Sequence, residues 1–278
     1  MSFSIATRDE VWLHGRLVDR RLSHGTAIED ERGIVASDAR DDALVAACDA
    51  AMDELHAFVA IDARMHLVAE ASSIDGVSRT MVVMVGDRSV VTTPEHFAHD
   101  VALLREAGIG DAQPRNLPFV WKHGTAAVLL HEMIGHPLEH GQPPVELPPW
   151  LSVDVPLKMR RATFKDVPLL RMTDVVARQN DAPFAMPEDR IEIVLVDGGA
   201  YDPLTEEVTL RIAAANLVEG GHTRAMAPFT IHETRANLAR SIVGAAGDAL
   251  RYPGVICSRE GQELVVGSYA PLLLTEPR

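Results

Sequence analysis

Gly-Thr-Ala-Ala-Val-Leu-Leu-His-Glu-Met-Ile-Gly-His-Pro-Leu-Glu-His-Gly, residues 124–141, is the stretch on which the reading of this chain turns. Its first half is continuously apolar, as in a helix buried on every side, and it ends in His131, Glu132 and His136. Two neutral imidazoles can hold a divalent cation, and a carboxylate beside the first can take a proton from water. The spacing is H-E-x-x-x-H, one residue longer than the ordinary zinc-protease helix motif. On a straight α-helix, positions five apart diverge by about 140°, whereas positions four apart diverge by only about 40°. A straight helix therefore cannot aim both rings at one ion. Gly135 and Pro137 offer a remedy: glycine loosens the backbone, while proline pushes His136 out of the α region and removes the next amide donor. The helix is predicted to widen or break here, and a π-type turn would bring residues five apart onto nearly one face.

The rest of the chain sets the context. At 278 residues with 47% hydrophobic content, it can bury the core of one large domain or two modest ones. The first ten residues show no basic leader with a long apolar run, and no apolar run elsewhere approaches membrane-spanning length, so residence in the cytoplasm and no membrane partner are expected. Cys48 and Cys257, far apart, give no disulfide framework and suit a reducing compartment. A net charge of -14 with dispersed Lys and Arg argues against nucleic acid as a partner; solubility is its plainer meaning, although it would also favour neutral or basic substrates.

An α+β fold is predicted: a small mixed α/β region over 1–115, then a larger, mainly antiparallel β region over 116–278 that carries the metal-site helix. Val11–Val18 and Gly33–Ser37 alternate like short antiparallel strands around Gly and His turns. A helix follows from Asp41 to Val59, capped by Asp38 or Asp41, with Leu44, Cys48, Ala51, Leu55 and Phe58 as its inward stripe; Cys48 is read as packing. Arg79–Val85 and Arg88–Thr92 flank the hairpin signal Gly86-Asp87. Thr93 then caps a helix starting at Pro94, with Phe97, Val101 and Leu104 on one face and Gly108 as its stop. Gly110–Pro118 reads as a linker, and 142–156, rich in proline, as a long loop across the mouth of the site. Strands are expected at Arg190–Val196, Val208–Leu217 and Thr223–Ile231, joined by turns at 197–199, 202–203 and 220–221. One helix is expected near 233–246, with Leu238, Ile242 and Val243 inward.

A catalytic zinc commonly takes three protein ligands, so a distant residue must join the two histidines. By residue type the candidates are Cys257, His140, Glu139, His222 and His232. Cys257 lies in Tyr-Pro-Gly-Val-Ile-Cys-Ser-Arg-Glu-Gly, read as a turn-rich loop that suits a ligand. His140 and Glu139 read as supporting or surface groups, His123 as a polar residue at a strand end, and His222 and His232 as structural.

Four separated blocks carry a family resemblance. Leu117 through Glu139, Pro168-Leu169-Leu170-Arg171-Met172-Thr173, Val196 through Gly221 and Pro253 through Gly267 resemble, in this order, the strand and Leu-Leu-His-Glu-x-x-Gly-His helix, the Arg-Met-Thr segment and the closing blocks of the TldD/PmbA metallopeptidases. Carried over by motif position, the resemblance implies a zinc ion held by His131, His136 and Cys257, with Glu132 as general base. It also implies assembly as a homodimer or as a heterodimer with a family member. The chain departs from the pattern in being shorter, in Pro137 where Gly is usual and in Asp174 where Asn is usual. The expected activity is hydrolysis of a peptide or related amide, the substrate bound as an added strand along a sheet edge. Three other readings compete: an amide hydrolase or tailoring enzyme acting on a small metabolite or modified peptide, a non-catalytic subunit of a family assembly, and a thiol enzyme using Cys257 as nucleophile.

Overall fold

Asp41 opens the first long helix, its carboxylate accepting from the amides of Ala43 and Leu44 and so satisfying donors that a helix start leaves bare. The computed structural model describes residues 2–30, 33–37, 40–73, 76–86, 88–106, 110–162, 165–172, 174–259 and 262–277. Asp38, Asp87, Gly108 and Thr173 fall outside them. The fold is α+β, and the chain divides into two compact units: residues 1–104, 160–169 and 258–263 form one, and 105–159, 170–257 and 264–278 the other.

The first unit is an antiparallel sheet with a helix against it. Its strands are β1 (Ser2–Leu13), β2 (Arg16–Asp30), β3 (Gly33–Ser37), β4 (Arg64–Ser72), β5 (Gly76–Val85) and β6 (Arg88–Thr92), in spatial order β6-β5-β4-β1-β2-β3. Helix α1 (Asp42–Leu55) buries Val45, Cys48, Ala51, Met52 and Leu55 toward β1 and β4. Cys48 packs as expected, its thiol donating to Ala69 O at 3.2 Å and its pKa pushed up by burial to about 11. Val11–Val18 divides between β1 and β2 at a turn formed by His14 and Gly15, both at positive φ, the antiparallel strands around a Gly and His turn that the sequence suggested. Val85 pairs with Arg88, which leaves the two-residue loop predicted between β5 and β6. Helix α2 (Phe97–Glu106) starts three residues after Pro94, because Thr93 and His96 first close a turn.

In the second unit the predicted dominance of antiparallel strands holds. Its strands are β7 (Phe119–Trp121), β8 (Leu151–Asp154), β9 (Leu157–Ala162), β10 (Lys165–Met172), β11 (Asp174–Gln179), β12 (Arg190–Asp202), β13 (Glu207–Glu219), β14 (His222–Ala225), β15 (Phe229–Thr234), β16 (Ile242–Arg259) and β17 (Gln262–Thr275), of which β9, β10, β16 and β17 also have residues in the first unit. The sheet runs β14-β13-β12-β7-β17-β16, with β11 beside β17 and β8, while β9 and β10 pair with each other. The pairs β7–β12 and β11–β17 are parallel. Thr223–Ile231, expected as a single strand, is two, β14 and β15, broken around Pro228; they pair with opposite ends of β13. Asp197-Gly198-Gly199, expected as a turn, lies inside β12, where the register slips between Val196 and Gly198. Residues 151–154 of the expected loop form β8. The expected linker is tied down, Gly110 N donating to Met226 O and Ala112 bridging Met226. The helix near 233–246 is shorter than expected: the chain coils here only from Arg235 to Ser241, and Val243 in the following strand is exposed rather than inward.

Candidate metal centre

Residues 126–139 form one continuous helical rod in three parts: α3 (Ala126–Leu130), a π turn (His131–Gly135) and α4 (His136–Glu139). Ala126 through Gly135 are buried throughout. The widened turn is the one that the five-residue spacing demands. It brings the His131 and His136 rings edge to face, centroids 4.9 Å apart. The local cause differs from the sequence expectation. His136 stays in the α region at φ -61°, ψ -44°, and Pro137 sits in the first turn of α4, where its missing N–H is tolerated. Gly135 is needed for packing: a Cβ there would overlap the Met172 thioether.

Cys257 comes from β16, not from a loop, and is buried. One donor atom each from His131, His136 and Cys257 lies within 4.8 Å of the others. His136 Nε2 stands 3.6 Å from Cys257 Sγ, close to the edge of about 3.6 Å that a tetrahedral zinc would set between a nitrogen and a sulfur ligand. Glu132 lies between the rings, Oε2 3.5 Å from His136 Nε2 and Oε1 4.0 Å from His131 Nε2. Two of these buried atoms, His131 Nδ1 and Glu132 Oε2, have no hydrogen-bond partner. Buried polar atoms are seldom left so, and orphaned donors or acceptors beside a sulfur and two imidazoles suit an ion and its water. The nitrogen, nitrogen, sulfur set fits zinc among common biological metals.

The remaining partners hold this set in place. Glu139, buried, accepts from His136 Nδ1 at 3.1 Å through Oε2 and from Arg171 Nε at 3.0 Å and Met172 N at 2.8 Å through Oε1. That carboxylate fixes the ring and turns Nε2 toward Cys257. Arg171, wholly buried, also donates from Nη2 to Cys257 O at 2.7 Å and Sγ at 3.1 Å. A guanidinium donating to sulfur suits a thiolate ligand. Arg171 lies in the Arg-Met-Thr block, where its sequence context assigns it no task; the signal that could have found it is a cation at a position destined for full burial. Opposite, Gly199 leaves room for Glu132: a Cβ at 199 would lie 2.5 Å from Glu132 Cγ.

Electrostatics separate the four groups. Burial first, then the charges of His136 and Arg171, push the His131 pKa down to about 3, so its ring is neutral as a ligand must be. Burial lifts Glu132 to about 7 against the pull of His136 and Arg211, the range a general base needs. In metal-free protein, burial is outweighed at His136 by Cys257 and Glu139, which raise it to about 10. Glu139 is lowered to about 2, since its bonds to His136 and Met172 overcome burial. The other sequence candidates stand apart from the cluster's donor set. His140, His222, His232 and His123 are exposed, and His232 Nδ1 meets Thr209 Oγ1 at 3.0 Å.

No family model matches the chain, and no curated protein matches it in sequence. Its fold does match solved structures. TldE from Thermococcus kodakarensis aligns with a TM-score of 0.50 at 10% identity, over 99% of this chain and 96% of that one. A protein from Thermotoga maritima described as a candidate modulator of a DNA gyrase aligns with a TM-score of 0.51 at 12% identity, over 99% and 94%. The chain has the TldD/PmbA fold, the one that its ordered sequence blocks led us to expect. Function has to be argued from the site.

Proposed function

We propose that this chain is a zinc-dependent hydrolase of peptide bonds or related amides, with His131, His136 and Cys257 as ligands and Glu132 as general base. The convergence of those four side chains in one buried cluster carries the reading. Zinc, when bound, supplies a Lewis acid and lowers the pKa of a water toward neutrality. Glu132 takes the proton of the attacking water and passes it to the leaving amine, a task its raised pKa suits. Glu139 keeps His136 turned toward the ligand set, and Arg171 keeps Cys257 there. Substrate binding as an added strand and assembly as a homodimer or heterodimer belong to the same proposal; light scattering tests the second.

Zinc content and turnover of a peptide panel beside small amide conjugates test the reading together. Glu132→Gln is expected to keep about one zinc and lose roughly 10²–10⁴-fold in rate. Cys257→Ala is expected to lose zinc and activity. Full activity in Glu132→Gln would favour a thiol mechanism, and undiminished zinc in Cys257→Ala would remove that sulfur from the site.

A further inference from the structure

Glu132 rests over Gly199, where a Cβ would be 2.7 Å from its Oε1. In the β12–β13 ladder Gly199 pairs with Leu210 and Tyr201 with Val208, and the register is unbroken from Gly198 to Asp202. Leu210 and Val208 are both buried, so positions 199 and 201 lie on the face that meets Glu132, about 7 Å apart along the strand. Exposure shows where this cluster opens. The His136 side chain is 15% exposed, against 1% for His131 and 3% for Glu132, and Cys257 is buried, so the way in lies beside His136. One turn further along the rod stands exposed His140, whose amide donates to His136 O at 3.1 Å. Its ring meets that of half-buried Tyr201, centroids 6.4 Å apart and planes tilted by 52°. The rod and β12 thus close on each other at two aromatic rings next to the opening. A braced frame carries the pair. The Tyr201 hydroxyl donates to Gln142 Oε1, and Gln142 Nε2 donates to Pro203 O at 3.1 Å. Arg235 donates from Nη1 to Pro143 O at 2.8 Å and holds Glu206 through Nε and Nη2, each at 3.1 Å. The chain leaving the rod is therefore pinned to the β12–β13 hairpin.

We infer that Tyr201 and His140 are specificity residues whose rings receive an aromatic side chain of the substrate, so that the hydrolase prefers peptides or amides carrying such a ring beside the cleaved bond. A separation of about 7 Å from the backbone under Glu132 is two residues of extended chain, which sets the ring within about two positions of that bond. A third ring adds edge or offset contacts to a tilted pair, and a phenol already held by Gln142 loses little freedom in receiving it. An aliphatic side chain of similar bulk buries area without those contacts. This inference rests on the hydrolase reading for its consequence, but not for its binding step.

A fluorescein-labelled alanine hexapeptide tests it, with Phe, Leu or Ala placed in turn at each of the four central positions. KM and kcat are measured with the zinc-loaded protein, and Kd by fluorescence anisotropy with the Glu132→Gln variant, where turnover is blocked. Phe at one position is expected to bind about tenfold tighter than Ala there, and tighter than Leu. Tyr201→Ala and His140→Ala should each shrink that advantage through KM more than kcat and leave the all-alanine peptide unchanged, whereas Tyr201→Phe, which keeps the ring, should retain it. His140 is exposed, so His140→Ala carries the test even if Tyr201→Ala fails to fold. No advantage of Phe over Leu and Ala at any position, or an advantage undiminished by His140→Ala and Tyr201→Ala, would overturn the inference. So would defects equal for every peptide, which would mark the two rings as merely structural. Phe-selective binding without cleavage of any peptide would sink the hydrolase reading and leave the recognition standing.

Discussion

Arg171 shows how a single side chain can organise a site it does not complete. Its guanidinium bonds the carboxylate that steers His136 and the residue that supplies the sulfur, so its loss should loosen two ligands together. Arg171→Lys keeps the charge without the planar fork and is expected to weaken zinc binding about 10–100-fold, read by competition with a chromophoric chelator. Wild-type affinity in that variant would show that the fork is dispensable. Gly199→Ala addresses the base instead. Its methyl would press on Glu132, so kcat should fall at least about tenfold with zinc content unchanged, since displacements of this size spoil proton-transfer geometry. At this scale the proposed histidine ligands and Glu132 could be named from their spacing in the sequence, whereas Cys257 was singled out by the family resemblance. Arg171 and Gly199 were legible in neither way, since their tasks come from what packs against them.

The element that makes the site is the π turn between α3 and α4. Five-residue spacing forced its prediction, but its seat is set by contact: Gly135 lies against Met172, and the rod faces β11, β12 and β13. Gly135→Ala should cost about 1–3 kcal/mol by overpacking, seen as a lowered denaturation midpoint and reduced zinc occupancy. A second device fixes the strand bearing the sulfur. Tyr252 of β16 donates its hydroxyl to Val196 O and accepts from Val196 N, both at 2.8 Å, which ties that strand to β12 where the ladder slips. Tyr252→Phe leaves both Val196 groups buried without this partner and should destabilise by about 1–3 kcal/mol in urea titration. No loss would mean that water replaces the hydroxyl. Helix starts and hairpin turns were readable from Asp41 and from Gly86 because they depend on nearest neighbours. The splitting of β14 from β15, and the inclusion of Gly198 and Gly199 in β12, depend on pairing with β13 rather than on nearest neighbours.

For the whole molecule, charge governs how stability responds to solution conditions. Glu10 is buried in the first unit, accepting from Arg20 Nε at 2.8 Å and Trp12 Nε1 at 3.0 Å and meeting His56 Nε2 at 2.7 Å. Burial alone would raise its pKa, but these partners hold the carboxyl below its ordinary value of 4.5. A depressed folded-state pKa means stability present above about 4.5 and lost as pH falls through the lower folded value. Urea midpoints at pH 7 and pH 3 should therefore fall less in Glu10→Gln than in wild type, and an equal fall would remove Glu10 as a source of acid sensitivity. With a net charge of -14, self-repulsion opposes folding, so Tm should rise between about 10 mM and 150 mM salt as exposed charges are screened. Among the described residues no helix is long and apolar enough to cross a membrane.

By itself the sequence determined the α+β class, the buried helix, the need for a widened turn and the identity of the metal-type donors, because periodicity, spacing and ligand chemistry are local properties. Only the tertiary structure decided that Cys257 reaches the histidines from a strand, that Arg171 ties Glu139 to Cys257, and that Gly199 leaves room for Glu132. Those facts arise from residues tens to more than a hundred positions apart meeting across a sheet, where burial and close approach rather than sequence distance set the interaction.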